Sequence, residues 1–147
     1  MTVPRIEAED RDLVLFRSGD LLCGIDVARV QEINRNLDIT VVHRAPDYVR
    51  GVLNLRGQLL TVIDLRRKLG MESVSIDSNM RVVVVRRDGV EVGLLVDQIV
   101  DIITADSLNT EPPPANVAGV GGIFFSAVYK METALAAVLD LDRVLEK

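Results

Sequence analysis

The sequence predicts a mainly β protein built as two small antiparallel barrels with short helical turns. Three observations carry this. Apolar residues make up 48% of the 147-residue chain, yet only two Tyr and three Phe are aromatic. The core must therefore be built from Val, Leu and Ile, which fit a pleated surface. Glycine-bearing turns recur between short apolar runs. Finally, the chain is written twice: "FRSGDLLCGIDVARVQEI" (Phe16 to Ile33) set above "VRRDGVEVGLLVDQIVDI" (Val85 to Ile102) puts Arg17, Gly24, Val27 and Ile33 on Arg86, Gly93, Val96 and Ile102. The same setting pairs Leu21 with Val90, Cys23 with Val92, Ile25 with Leu94, Val30 with Ile99, and Glu32 with Asp101. Further on, Pro46 meets Pro114, "YVRGV" meets "NVAGV", and "LLTVIDLRRKL" meets "LAAVLDLDRVL". Two copies are too few for a solenoid, so two similar subdomains packed on each other are expected. A chain of this length is most simply one domain, burying roughly 68–70% of its unfolded surface.

Taken in order, the first apolar run bends at Ser18-Gly19-Asp20. Val27, Val30 and Ile33 fall three apart, as do Val96, Ile99 and Ile102, which predicts a short helical turn at each place. The next hairpin bends at Leu55-Arg56-Gly57-Gln58, where Gly57 supplies a positive φ. Its apolar residues lie on both faces, Leu53 and Leu55 against Leu59, Leu60, Val62 and Ile63. One face fills a barrel; the other packs between the halves or against a partner. Asp64 reads as the N-cap of a helical turn that Gly70 ends, and Asp140 stands at the same place before "LDRVLEK". "RVVVVRRDGVEVGLLV" is a hairpin around Asp88-Gly89, both of which tolerate positive φ. Glu111-Pro112-Pro113-Pro114 is a stiff extended connection within the second copy, answering to Ala45-Pro46 in the first.

The side chains argue against most chemistry. A formal net charge of -5 and the lack of aromatic stacking platforms disfavour a nucleic-acid ligand. The basic runs Arg66-Arg67-Lys68 and Arg86-Arg87 read as solvated faces. Cys23, the only cysteine, sits in "DLLCGID" and reads as a small buried hydrophobe; a chain without a disulfide framework fits a reducing compartment. "MTVPRIEAEDRD" lacks the basic and apolar regions of a secretory signal, and no apolar run approaches membrane-spanning length, so a soluble cytoplasmic protein is expected. His43, the single histidine, has no metal-ligand spacing around it and reads as a loop residue; no metal or other cofactor is expected. Asp64 and Asp140, one per copy, invite comparison with an aspartyl dyad. In such dyads a small hydroxyl residue and Gly follow the Asp; here leucine follows both, and capping is the favoured role. "VAGVGGIFF" has glycines but lacks the Lys and Ser/Thr of a phosphate loop. What remains is surface: sheet edges and a groove between the halves, suited to strand addition or to capture of an amphipathic helix.

The succession "LVLFRSGDLLCGIDVARVQEI", "RAPDYVRGVLNLRGQLLTVIDLRRKLG", "VVVVRRDGVEVGLLVDQIVDII" and "AAVLDLDRVL" resembles the CheW family of bacterial chemotaxis coupling proteins, from about Leu13 to Leu145. "V-x-E-I" at Val30 to Ile33, "G-V-x-N-L-R-G" at Gly51 to Gly57 and "V-I-D-L-R" at Val62 to Arg66 are specific in combination. The resemblance implies two SH3-like five-stranded barrels in a single domain over 12–147, with halves at 12–70 and 80–147, exchange of strands between them left open, and 1–11 as an N-terminal extension. It implies no catalytic activity. It implies an adaptor, monomeric alone, that couples the cytoplasmic helical hairpin of a chemoreceptor to the regulatory domain of a CheA-type histidine kinase within arrays at the membrane, without itself entering the bilayer. By motif position, Val30, Glu32, Gly51, Asn54, Arg56 and Gly57 would lie in or beside the receptor groove, and the kinase side is guessed near Asp88-Gly89. Arg56 would either reach polar groups on a receptor helix or clamp Glu32; its planar fork suits both. The chain departs from the family pattern at His43-Arg44, where proline is common, at the Glu132-Thr133 bend, where a glycine-bearing turn is usual, and in the adjacent Phe124 and Phe125. A related scaffold in a pilus or gliding-motility pathway is the alternative.

Overall fold

The computed structural model describes residues 10–146, so residues 1–9 of the expected extension lie outside it. The chain begins with a hairpin, β1 (Arg11–Ser18) and β2 (Leu21–Asp26), followed by a single 3-10 turn at Val27–Arg29 and β3 (Val30–Asn34). A second hairpin follows, β4 (Val49–Leu55) and β5 (Gln58–Asp64), with α1 (Leu65–Lys68) at its end. The repeat then starts again with β6 (Arg81–Arg87), β7 (Val90–Val96) and β8 (Gln98–Ala105). Short pieces come next: β9 (Thr110–Glu111), β10 (Asn116–Val117) and β11 (Val120–Gly121). The chain closes with β12 (Phe125–Lys130), β13 (Leu135–Leu139) and α2 (Leu141–Val144).

Two large sheets form, in the orders β3-β6-β7-β5-β4 and β8-β1-β2-β13-β12-β9, and β10 pairs with β11 in a separate two-stranded sheet. They do not follow the sequence halves. The first barrel takes the β6–β7 hairpin from the second copy, and the second barrel takes the β1–β2 hairpin from the first. The exchange is reciprocal: β3 pairs with β6, and β8 pairs with β1, both antiparallel. Parallel contacts complete the symmetry, β5 with β7 and β13 with β2. Each sheet closes by the same device. Beyond β3 the chain crosses to bridge Thr40 to Val52 on the opposite edge strand, β4. Beyond β8 it crosses to lay β9 on β12, which makes the second sheet six-stranded rather than five.

Burial explains why the middle strands are continuous apolar runs. Val82, Val83, Val84 and Val85 are all buried, as are Leu13, Val14, Leu15 and Phe16. Val82 and Val84, with Leu53, Leu60 and Val62, fill the first barrel. Leu13 and Leu15, with Leu22, Tyr129 and Ala136, fill the second. The alternate residues, Val83, Val85 and Ile63 from one sheet and Phe16, Cys23 and Ile25 from the other, share a large cluster. A strand with two buried faces loses its polar alternation. Phe124 and Phe125 join the same cluster, which accounts for their adjacency. Burial also pushes the Cys23 thiol up to about 12, in line with its reading as an inert hydrophobe.

Three sequence expectations are corrected. The residues Val96 to Ile102 do not make a helical turn: β8 begins at Gln98 and runs straight through them. Near Val27 the 3-10 turn lasts three residues and then becomes strand. The helical turn expected at Val27 is present as this 3-10 turn, whereas the Val30–Ile33 and Ile99–Ile102 spacings come from β-bulges, at Gln31 in β3 and at Val100 in β8, where two residues oppose one on the partner strand. Val30 and Ile33 therefore face the shared cluster together. Asp64 occupies the N-cap position of α1 without capping it. Its buried carboxylate instead accepts from Arg50 Nη1 at 3.1 Å and from the Ser73 hydroxyl at 2.5 Å. Asp140 does cap α2, accepting from the backbone N–H of Arg143 at 3.3 Å. The basic run after Asp64 is not a solvated face. Arg66 grips Asp97 through Nε and Nη2, Arg67 pairs with Asp47 at 2.6 Å, and Lys68 lies 3.9 Å above the Tyr48 ring.

Asp97 bolts the barrels together. It receives Arg66 from the end of the first barrel, accepts from the Gly19 N–H in the β1–β2 turn at 2.8 Å, and donates its own N–H to Arg17 carbonyl oxygen at 2.9 Å. Gly51 fixes the first barrel's closure in another way. Its φ is +152°, and a Cβ there would stand 2.1 Å from the Thr40 carbonyl oxygen, the atom that bridges to Val52. Gly51→Ala is expected to cost about 2–4 kcal/mol through strain and loss of that bridge. Gly57→Ala, at φ +84° in open space, should cost only about 1–2 kcal/mol. Urea unfolding midpoints of the two variants check the ranking.

Candidate functional site

The residues singled out by motif fall into two groups. Glu32, Asn54, Arg56 and Gly57 meet at one place, the seam where the first sheet closes. Glu32 is on β3, one edge of the sheet, and Arg56 sits at the tip of the hairpin whose β4 is the other edge. Arg56 Nη2 donates to Glu32 Oε1 at 2.5 Å, and Asn34 Nδ2 donates to Oε2 of the same carboxylate at 2.8 Å. The ion pair thus straps one edge of the barrel to the other. The bulge at Gln31 immediately precedes Glu32 and locally re-aims the strand.

The hairpin tip is built for display. Arg56 has φ +53° and Gly57 φ +84°, the two positive values of a tight two-residue turn. Asn54 Oδ1 accepts from the Gly57 N–H at 3.0 Å and holds the turn from inside. The β6–β7 turn has the same geometry with Asp88 at φ +53° and Gly89 at φ +79°, a residue pair suited to it. An arginine in the left-handed region is costlier than the Asp or Asn such turns favour, by about 1–2 kcal/mol. The side chain is 70% exposed, so no burial compensates for that cost.

Val30 and Gly51 stand apart from the seam. Val30 is half-buried on the shared cluster opposite Val85, and Gly51 is buried beneath the Thr40 bridge. They shape the ground under β3 and β4 rather than presenting groups to solvent. Asp88 and Gly89 are exposed at their turn. His43 lies in an exposed loop, and Arg44 beside it takes φ +65°. Asp64 and Asp140 head separate helical turns with separate partners, so no dyad forms from them. Among the described residues no group of three or more His, Cys, Asp or Glu could hold a metal ion.

Two surface features escaped the sequence reading. Leu59 is 72% exposed and Val90 61%. The parallel β5–β7 register, Thr61 opposite Val92, sets Leu59 beside Val90 when carried back two residues. Both lie toward the end of the first barrel where the Asp88-Gly89 turn sits. The second feature is on β8, where Val100 and Ile102 are exposed although they sit on an edge strand. The internal repeat carries the signal for this lip, since it sets Val100 and Ile102 on Gln31 and Ile33. Both edge strands rest on the shared core, β3 through Val30 and Ile33 and β8 through Ile99.

The electrostatics of the seam have a direction. Hydrogen bonds from Arg56 first, and from Asn34 next, hold the Glu32 carboxyl below the usual carboxylate range. A carboxyl lowered on folding adds stability above its unfolded pKa, and that contribution is lost as pH falls through the lowered folded value. Glu32→Gln should therefore be less stable than wild type at pH 7. The gap should close progressively as the pH is taken down through the carboxylate range, which paired urea titrations at neutral and acid pH will read.

The comparisons fit this geometry. The CheW-like domain family matches residues 12–147. Chemotaxis protein CheW of Treponema pallidum is 27% identical over 143 residues, covering 95% of this chain and 84% of that protein. Chemotaxis protein CheW of Rhizobium meliloti is 32% identical over 134 residues, covering 91% and 86%. Among solved structures, the scaffolding protein TtCheW from Thermoanaerobacter tengcongensis superimposes with a TM-score of 0.85 at 26% identity, covering 100% of this chain and 95% of that one.

Proposed function

The chain belongs to the CheW-like domain family, and from that premise we propose that it is a non-enzymatic adaptor coupling a chemoreceptor to a CheA-type histidine kinase. The observation that carries the proposal is the Arg56–Glu32 strap, an exposed ion pair on a turn that its arginine does not favour. Arg56 spends one terminal nitrogen on Glu32 and keeps further N–H donors for a second protein. Charged pairs at the rim of an interface steer encounter and fix register more than they add raw affinity, which suits a coupling protein.

In this reading the receptor's helical hairpin lies along a furrow bordered by β3 and β8. Glu32, Asn54, Arg56 and Gly57 form one lip, Val100 and Ile102 the other, and Val30 and Gly51 support the floor. The kinase regulatory domain docks at the end of the first barrel, on Leu59 and Val90 beside Asp88 and Gly89. Supporting this division, the two surfaces differ in kind: one polar and strapped, the other apolar and small. Small contacts of this sort become effective through multivalency, so the protein works inside assemblies on the cytoplasmic side of receptor membranes and is a monomer alone.

The test is a pair of binding titrations, one against a purified chemoreceptor cytoplasmic fragment from the same genome, one against the cognate kinase regulatory domain. Arg56→Glu should weaken receptor binding about 10-fold or more and leave kinase binding within about 2-fold. A wild-type protein that binds neither partner sinks the proposal. Leu59→Glu with Val90→Glu should do the reverse, weakening the kinase domain by about 10-fold or more while sparing the receptor fragment. Loss of receptor binding instead would move the kinase surface elsewhere.

A further inference from the structure

We propose that Asn34 is a positioning residue for receptor docking: braced by a side-chain turn with Asn36, it holds the Glu32 carboxylate so that Arg56 is fastened through one N–H and the rest of its fork is left for the partner. The inference rests on the receptor-docking reading above and adds to it a residue that acts through Glu32 and Arg56.

The orientation of Asn34 is set by its own hydrogen bonds. Its Oδ1 accepts from the Asn36 N–H at 2.8 Å, and Asn36 Oδ1 in turn accepts from the Asp38 N–H at 3.0 Å. Each side chain closes on the backbone two residues ahead, as Asn does in turns. With the amide oxygen of Asn34 committed there, Nδ2 is the end that faces Glu32, and it donates to Oε2 at 2.8 Å. The run of bonds continues through the Ile39 N–H on the Leu37 carbonyl oxygen to the bridge between Thr40 and Val52. Asn34 is thereby anchored to the stretch of chain that closes the first barrel.

The consequence is a one-point hold on Arg56. A free carboxylate takes an arginine fork to fork, through two parallel N–H bonds. Here Asn34 engages Oε2, and Arg56 meets the carboxylate at Oε1 through Nη2. The strand position does not itself require an amide. Asn34 is half-buried opposite Val82 on β6, a strand site that Asn does not favour. The repeat sets Ile103 at the same place in the second copy, and Ile103 packs on the core of the second barrel.

The charged groups around the strap are few. Arg56 reaches Glu32 from the hairpin tip, while Val84 lies opposite Glu32 on β6. Glu91 on β7 acts on Arg56 and is itself paired with Arg86 on β6 at 3.4 Å. After Arg56, Asn34 does most to lower the Glu32 carboxyl.

The test interchanges the two polar groups. Asn34→Asp keeps an oxygen for the Asn36 N–H, loses the donor and sets a second carboxylate against Glu32. Glu32→Gln, with its oxygen on Arg56, turns its own amide N–H groups toward those of Asn34. Each single variant should weaken binding of the receptor cytoplasmic fragment about 5-fold or more and leave kinase-domain affinity within about 2-fold. The double variant Asn34→Asp, Glu32→Gln restores the bonding pattern with donor and acceptor exchanged, at unchanged net charge. It should recover receptor affinity to within about 2-fold of wild type, a coupling that a merely structural role would not produce. The thermal midpoint of Asn34→Asp should stay within about 4 °C of wild type. Without any partner, the Glu32 carboxyl followed by carbon-13 NMR should titrate at a higher pH in Asn34→Ala than in wild type. Two single losses with no recovery in the double variant overturn the proposal, as does an unmoved Glu32 titration. A lower midpoint in Asn34→Asp with an equal loss of kinase binding marks a structural role and overturns it too. If Arg56→Glu loses the receptor while both single variants keep it, the docking reading stands and this inference alone falls. If wild type binds no receptor fragment, both fall.

Discussion

The structure depends on one apolar layer that both barrels own. Val83, Val85 and Ile63 enter it from one sheet, Phe16, Cys23 and Ile25 from the other. Neither barrel could present these side chains to water. At roughly 25 cal/mol per Å² of apolar surface, exposing such a layer would cost more than the net stability of an ordinary domain. The exchange of the β1–β2 and β6–β7 hairpins follows from the same constraint. A hairpin with two buried faces needs a neighbour on each side, and β3 and β8 supply those neighbours across the repeat boundary. Polar groups then finish what the layer begins: Arg66, Asp97 and Gly19 tie the far ends of the two sheets at fixed distance.

Once the interior is fixed, function is left to what the barrels cannot bury. Closing a five-stranded sheet brings its two edges to a seam, and a seam has loose backbone and turn residues that can carry charge without packing cost. The first barrel fastens its seam with Glu32 and Arg56. The strap is exposed, so its energetic weight in the fold is small, as for surface pairs generally. It holds the Arg56 guanidinium against Glu32 on the β3 edge. The same logic explains why Gly51 cannot be exchanged freely: the carbonyl of Thr40 needs the space that a side chain would take.

Much of this was legible in the sequence because it is local. Asp88-Gly89 and Arg56-Gly57 announce their turns through the φ they permit, and the repeat exposes itself by matching glycines and valines. The failures were non-local. A bulge leaves no residue signature, so the spacing of Val30 and Ile33 imitates a helix when it records an extra residue in a strand. Asp64 has a capping position, but Arg50 and Ser73, from elsewhere in the chain, claim its carboxylate. Arg66 looked solvated because its partner, Asp97, is contributed by the second copy. Strand exchange itself is invisible to any window of sequence, since each strand's face pattern is the same whichever barrel receives it. The exposure of Leu59 and Val90 required knowing that β5 and β7 lie side by side and parallel.

Strand exchange also dictates an order of assembly during synthesis. The first barrel is complete once Val96 has left the ribosome, because its five strands lie between β3 and β7. The second cannot close until β13 arrives to pair Ala137 with Cys23. The β1–β2 hairpin, made first, must wait for nearly the whole polypeptide with one greasy face uncovered. Late, long-range pairing of this sort slows folding and leaves nascent chains open to misassociation. A molecule cut in the middle would yield no autonomous half, only two incomplete pieces that each lack the other's strands.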